Sequence, residues 1–288
     1  MVVKQKIIVT GANGQLGREL QVVAARYPVF DFIFLTREEL AIDKVTSVNS
    51  IFDKYAPQYC INCAAYTAVD KAETDRENAF AVNADGPANL AAAGKKYNTR
   101  LIHISTDYVF DGQASSPYLT EAPTDPQGVY GESKLAGEKK AVENNDQVVI
   151  IRTSWVYSEF GKNFVKTMLR LMSEKPEISV VSDQVGSPTY AADLADAIMQ
   201  IIASGDWHPG VYHYSNTGII SWFQFAEAIK EISLSNCLVS PIPSSSYPTP
   251  AKRPSYSAMD LSKITRVYGV QPPEWKDSLQ VCISALSK

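Results

Sequence analysis

Glycines recur at every third position of Thr10-Gly-Ala-Asn-Gly-Gln-Leu-Gly17, directly after the apolar run Lys6-Ile-Ile-Val-Thr10 and before the helix-forming Arg18-Glu-Leu-Gln21. A strand that turns through glycines into a helix gathers backbone N–H groups and a helix N-terminus at one point, where a phosphate is held. Gly11 and Gly14 permit the tight turn and a close approach to a pyrophosphate, and Gly17 lets helix and strand pack together. The context therefore predicts a dinucleotide site.

The rest of the first half supports that reading. Short β-branched or aromatic runs (Lys6 to Thr10, Phe32 to Leu35, Tyr59 to Cys63, Leu101 to Ser105, Val148 to Arg152) alternate with helical spacing over Val45 to Tyr55, Ala72 to Tyr97 and Gly131 to Glu143. Such alternation predicts βαβ units: an α/β fold with a Rossmann-type doubly wound parallel sheet and helices on both faces. After about Thr153 the pattern loosens into helices (Phe164 to Ser173, Ala191 to Ala203, Phe223 to Ile232), short strands and a proline-rich stretch, Pro241 to Pro250. Residues 1–153 are expected to form the dinucleotide-binding domain. Residues 154–288 are expected to form a smaller α/β substrate lobe that can return elements to the sheet. At 288 residues and 45% hydrophobic content, the chain has the material for both.

Charge and thiols narrow the function by exclusion. A net charge of −4 without any basic block recommends neither nucleic acid nor an anionic membrane as partner. The N-terminus lacks the apolar run of a signal peptide, and no stretch approaches the roughly 18 apolar residues of a spanning helix, so a cytoplasmic protein is expected. Cys60-Ile-Asn-Cys63 sits in a buried-type strand, where positions three apart face opposite sides, so neither a redox pair nor a metal site is expected.

Tyr130-Gly-Glu-Ser-Lys134 places a phenol and an ammonium one helical turn apart, which suggests a proton donor tuned by charge. Lowering a phenol from about 10 to about 7 takes roughly 4 kcal/mol, so a partly desolvated site and a second positive charge, such as an oxidised nicotinamide, are implied. Upstream, the strand over Leu101 to Ser105 ends in Ser105-Thr106, at the carboxyl edge where open α/β sheets bind ligands. Alternation points the two hydroxyls to opposite faces, so one of them, read as Thr106, is expected to hold a substrate carbonyl while Tyr130 delivers the proton. Each element alone is commonly structural; their order after a dinucleotide turn points to hydride chemistry.

At the end of the second strand, where the adenosine ribose is read, stands Leu35-Thr36-Arg37. Arg37 favours NADP(H), while Glu38, Glu39 and Asp43 keep NAD(H) open. His103 alternates inside an apolar strand and reads as a core histidine; His208 and His213 flank Pro209-Gly210 without a partner motif. Trp155 and Tyr157 form either a seam with the second lobe or an aromatic wall. Lys252-Arg253-Pro254 ends a loop that reaches somewhere.

Together with the glycine turn and the Tyr130/Lys134 pair, six further segments carry a resemblance: Cys63-Ala-Ala-Tyr-Thr-Ala-Val-Asp-Lys-Ala-Glu73, Ser105-Thr-Asp-Tyr-Val-Phe-Asp-Gly112, Arg152-Thr-Ser-Trp-Val-Tyr157, Asn163-Phe164, Asp183-Gln-Val-Gly-Ser-Pro-Thr189 and Tyr247-Pro-Thr-Pro-Ala-Lys-Arg-Pro254. The chain resembles the extended short-chain dehydrogenase/reductases and, more narrowly, the dTDP-4-dehydrorhamnose reductase family. That resemblance implies NAD(P)H-dependent reduction of the C4 ketone of a dTDP-4-dehydro-6-deoxy sugar, with Thr106, Tyr130 and Lys134 catalytic. It implies a cofactor site at Gly14, Gln15, Leu16, Asp43, Ala64, Ala65, Tyr66 and Thr67, to which the turn reading adds Gly11, Asn13 and Gly17, the second strand end adds Arg37, and the helix adds Tyr130 and Lys134. It implies a dTDP-sugar held by Val69, Thr106, Asp107, Tyr108, Trp155, Asn163, Gln184 and Arg253. Related epimerases place a cysteine and a histidine beside the ketone; Thr106 to Gly112 contains neither, which favours simple reduction. Some relatives hold magnesium at a dimer interface through helix carboxylates. Glu19 matches one, but Tyr190-Ala-Ala192 offers no second, so no metal is expected and monomer and homodimer both stay open. The alternatives are a reductase of another sugar nucleotide and a cofactor-binding regulatory subunit like that of methionine adenosyltransferase, which docks a protein partner.

Overall fold

The computed structural model describes residues 4–287; the first three residues of the N-terminal stretch read above lie outside the described residues. Among the described residues, six strands form one parallel sheet in the spatial order Phe30–Leu35, Gln5–Thr10, Tyr59–Asn62, Arg100–Thr106, Val148–Thr153, Gly210–His213. The chain passes from the first strand to one side and then returns to the other, so the strand order reverses beside Gln5–Thr10. The glycine turn leaves the sheet at that switch point, where such folds open a crevice.

Sheet strands are apolar on both sides because helices cover both faces. Tyr59–Asn62 and Val148–Thr153 are buried at every position. Ile7, Val9, Ile61, Val149 and Ile151 meet Leu16, Leu20, Leu194 and Ile198 on one face, while Ile8, Leu101, Val148 and Ile150 meet Phe52 and Leu90 on the other. Cys60 belongs to the second face and Cys63 packs against the first, so the Cys-x-x-Cys spacing is divided by the sheet. Burial pushes both thiols up, Cys60 to about 12.

The second half of the chain contributes to both bodies of the molecule. Gly210–His213 adds the sixth strand, and helix Ala191–Ala203 packs against helix Gln15–Ala24 beneath the sheet. Gly210, read from the sequence as a turn residue, instead opens this strand, a run too short and too mixed to stand out in the sequence. The lobe proper packs helices Phe164–Glu174, Trp222–Ser233 and Trp275–Leu286 with the paired strands Glu177–Val181 and Leu238–Ile242. Phe225 and Leu279 are fully buried at its centre, each burial stabilising by about 1.5–3 kcal/mol. The helix Trp222–Ser233 begins at a capping box in which Ser221 and Gln224 each satisfy the other's backbone N–H.

Helices Val45–Tyr55 and Ala191–Ala203 fall where the apolar spacing places them. The single helical pattern over Ala72 to Tyr97 instead divides into Val69–Ala72, Arg76–Phe80, a π-helical turn Ala81–Asp85 and Gly86–Tyr97. The π turn turns buried Asn83 toward the loop after Tyr59–Asn62. There Asn83 accepts from Tyr66 N at 2.8 Å and donates to Tyr66 O at 3.0 Å and to the Ser133 hydroxyl at 3.0 Å. Such turns recur beside functional sites because they re-aim one residue without ending the helix. No helix among the described residues is long and apolar enough to cross a membrane.

Candidate active site

At the carboxyl edge of the sheet a cleft of about 860 Å³ opens between the two bodies, a volume suited to a small ligand. Its base is the glycine turn. Gly14 N–H donates to Gly11 O at 2.9 Å, Gly11 adopts φ +64°, and a Cβ on Gly17 would stand 2.4 Å from Gly11 O. The turn therefore closes only with glycine, and it delivers the N-terminus of helix Gln15–Ala24 to the cleft. Gly11, Asn13, Gly14, Gln15, Leu16, Gly17, Arg37, Asp43, Ala64, Ala65 and Thr67 all line this wall. Tyr66 does not: Asn83 holds its backbone, and its phenol turns away to Asp75 Oδ2 at 3.0 Å. The cradle of glycines, helix N-terminus and flanking alanines fits a pyrophosphate and its flat substituents.

Strand Arg100–Thr106 and helix Val129–Asn144 bring together the residues expected to be catalytic. Thr106, Tyr130 and Lys134 line the cleft together. The Thr106 hydroxyl donates to Asp107 Oδ1 at 2.9 Å and accepts from Tyr108 N at 3.3 Å. Burial pushes the Tyr130 phenol well up, against the opposing pull of the Thr106 hydroxyl. The Lys134 ammonium, 2% exposed, donates to Ile104 O at 2.6 Å, and burial lowers it to about 8 while Glu138 opposes that shift. The helix spacing does put phenol and ammonium on one face. The lysine is nevertheless committed to a strand carbonyl, and desolvation, rather than the ammonium, dominates the phenol.

Beneath this pair lies a charged layer that sequence reasoning passed over. Ser105 donates to Glu138, and Arg152 binds Glu138 through Nε at 2.9 Å and Nη2 at 2.7 Å. Tyr130, Lys134 and Glu138 stand four apart on one helix, a spacing that would have exposed Glu138 had the Tyr130/Lys134 period been carried one turn further. Both members of the ion pair are nearly fully buried, and the Arg152 guanidinium lies 5.1 Å from the Phe110 ring centre. Ser105 thus serves this layer and Thr106 faces Tyr130, as strand alternation requires. His103 is buried with Nδ1 3.0 Å from Asn62 Nδ2, and burial holds its ring neutral. His213 packs edge-on to Phe110, its ring pushed down to about 4 by burial and by Arg152.

The other wall is drawn from the whole chain. Val69, Asp107, Tyr108 and Trp155 line the cleft; Tyr157 is buried in the lobe core. Asp107 is 3% exposed and raised to about 6 by burial against four hydrogen bonds. Three expected residues stand off that wall. Asn163 caps helix Phe164–Glu174 and donates to Gln15 Oε1 at 2.9 Å, so it reaches the cleft through the glycine turn. Gln184 lies outside the lining. Arg253 lines a smaller adjoining pocket, donating to Tyr108 Oη at 3.0 Å and to Asp70 Oδ2 at 2.6 Å. Trp222 and Lys162, lining the cleft from the lobe, were not legible beforehand, since nothing in their neighbourhoods marks a site. Ser158 donates to buried Glu19 at 2.6 Å; burial raises that carboxyl to about 8 and ties the glycine-turn helix to the lobe.

A family model described as RmlD substrate binding domain matches residues 5–288. The chain is 40% identical over 285 residues to a dTDP-4-dehydrorhamnose reductase of Aggregatibacter actinomycetemcomitans, covering 96% of this chain and 97% of that one. Among solved structures, the Clostridium acetobutylicum dTDP-4-dehydrorhamnose reductase superposes with a TM-score of 0.95 at 40% identity, covering 99% and 100% of the two chains. The Bacillus anthracis dTDP-4-dehydrorhamnose reductase, solved in complex with NADP, superposes with a TM-score of 0.94 at 39% identity, covering 98% and 100%. With the strand-turn-helix cradle and the Thr106, Tyr130 and Lys134 cluster in one cleft, this likeness over nearly the full length means that the chain belongs to the dTDP-4-dehydrorhamnose reductase family.

Proposed function

We propose that this chain reduces the C4 ketone of dTDP-4-dehydro-6-deoxy-L-mannose to dTDP-L-rhamnose, a sugar donor for cell-surface polysaccharide. The observation that carries the proposal is the meeting of Thr106, Tyr130 and Lys134 in the cleft that the glycine turn floors. A reduced nicotinamide dinucleotide, when bound, supplies the hydride for C4.

The chain's own residues do the remaining work. Gly11 to Gly17 hold the pyrophosphate on the helix N-terminus, Ala64, Ala65 and Thr67 shape the wall beside it, and Arg37 takes the ribose end, which favours NADP(H). Thr106 turns its hydroxyl proton from Asp107 to the ketone oxygen and polarises it. Tyr130 gives its phenolic proton to that oxygen as it becomes an alcohol. Burial keeps the phenol protonated, the form a donor needs in the reductive direction; the phenolate left behind draws on the positive charge of Lys134, one turn along the same helix face. Arg253 and Tyr108 at the adjoining pocket fit the nucleotide's phosphates, since a guanidinium meets phosphate oxygens in two-point contact.

Purified protein mixed with NADPH and the 4-keto sugar nucleotide is expected to consume the reduced cofactor and yield dTDP-L-rhamnose. A folded, cofactor-binding preparation that consumes none would end this reading.

A further inference from the structure

Trp155 and Trp222 both face the cleft from the lobe, their rings stacked with centroids 3.6 Å apart and planes 11° from parallel. Trp155 stands at φ +48°, in the left-handed region that a bulky L residue occupies only when its surroundings hold it there. Two neighbours do the holding. Trp222 stacks on the ring, and Gly186 crowds it, since a Cβ there would come within 2.9 Å of the Trp155 ring and 2.5 Å of the Ser257 hydroxyl. Behind Trp222, Phe164 packs at 4.6 Å and stacks in turn on Phe225 at 5.5 Å, so an aromatic column runs from the cleft into the lobe core.

The column's position along the cleft indicates what it meets. Thr106 and Thr153 are direct partners in the sheet, and Trp155 follows Thr153 by two residues, at most roughly 7 Å of chain. Trp155 therefore flanks the carbonyl site rather than the far end of the nucleotide. A pyranose presents a face dominated by C–H groups, which the electron-rich face of an indole receives. We propose that Trp222 is a positioning residue for sugar specificity: stacked on Trp155, it sets the flat wall on which the sugar ring lies and so aims C4 at Thr106 and Tyr130. The proposal rests on the nucleotide-sugar reading above.

The test is steady-state kinetics, varying each substrate in turn, on the wild type, Trp222→Ala, Trp222→Phe and Gly186→Ala. Trp222→Ala is expected to raise the sugar-nucleotide KM roughly tenfold while the NADPH KM stays within about twofold, and Trp222→Phe to recover most of the loss. Gly186→Ala, whose Cβ would press on the Trp155 ring, is expected to give the same split. An unchanged sugar KM in Trp222→Ala overturns the proposal. So do equal rises in both KM values with a lowered Tm and no rescue by phenylalanine, which describe a packing residue only. If the wild type itself oxidises no NADPH, the functional reading fails separately. Calorimetric titration with dTDP-L-rhamnose then decides the Trp222 assignment: weaker binding by Trp222→Ala supports it, and equal binding, or none by the wild type, overturns it.

Discussion

The wall of the cleft formed around the glycine turn is drawn from short segments at the ends of adjacent strands in the first third of the chain, whereas the opposite wall draws side chains from the whole chain. Gly11 to Gly17 and Ala64 to Thr67 are two short segments at the ends of adjacent strands, held by backbone geometry. The facing side needs Val69, Tyr108, Trp155 and Trp222, and its adjoining pocket is tied by an ion pair between Asp70 and Arg253, 183 residues apart. A wall built from backbone has little freedom to vary. A wall built from side chains on a separately packed lobe can change its ligand without disturbing the sheet, which is how one fold serves many substrates.

That contrast is open to direct tests, beginning with Tyr130, the proposed proton donor. Tyr130→Phe is expected to lower kcat by on the order of 10³-fold while NADPH binding, followed by fluorescence, persists; equal loss of binding would place the phenol in the cofactor wall instead. Gly17→Ala drives a Cβ onto Gly11 O and is expected to cost about 1–3 kcal/mol of stability, read by denaturant titration, with NADPH affinity falling by up to roughly 100-fold. Retained NADPH affinity would break the claim that this wall has no slack. Arg253→Lys keeps the charge but loses two-point geometry, and is expected to raise the sugar-nucleotide KM about tenfold at constant NADPH KM. The smallest effect concerns pH. Lys134, lowered to about 8, loses its charge as pH rises through that value, so kcat/KM is expected to fall above about pH 8. Glu138 raises the lysine, so Glu138→Gln should move that fall to lower pH; a pH profile that does not move would remove the buried layer from catalysis.

Much of the first wall was legible because its signals are local. The glycine spacing, the strand before it and the Tyr130/Lys134 period each reflect backbone geometry over a few residues. Less was legible around Ala72 to Tyr97, where one helical period hides a π turn whose purpose is a contact with Tyr66 across the sheet edge. The strand Gly210–His213 went unseen for a related reason: four residues carry too little pattern, and only pairing with Val148–Thr153 makes them a strand. Trp222 could not be singled out at all, since its importance lies in its stack with Trp155.

By itself, the sequence determined the strand-turn-helix, the parallel βαβ order and the presence of a phenol and an ammonium on one helix face, because periodicity and glycine conformations act over short range. Only the tertiary structure decided where charge and protons sit: Lys134 turned to the Ile104 carbonyl, the Tyr130 phenol kept protonated, and Glu138 paired with Arg152 beneath them. The physical reason is desolvation, which depends on what distant segments bury around a group and which no local spacing reports.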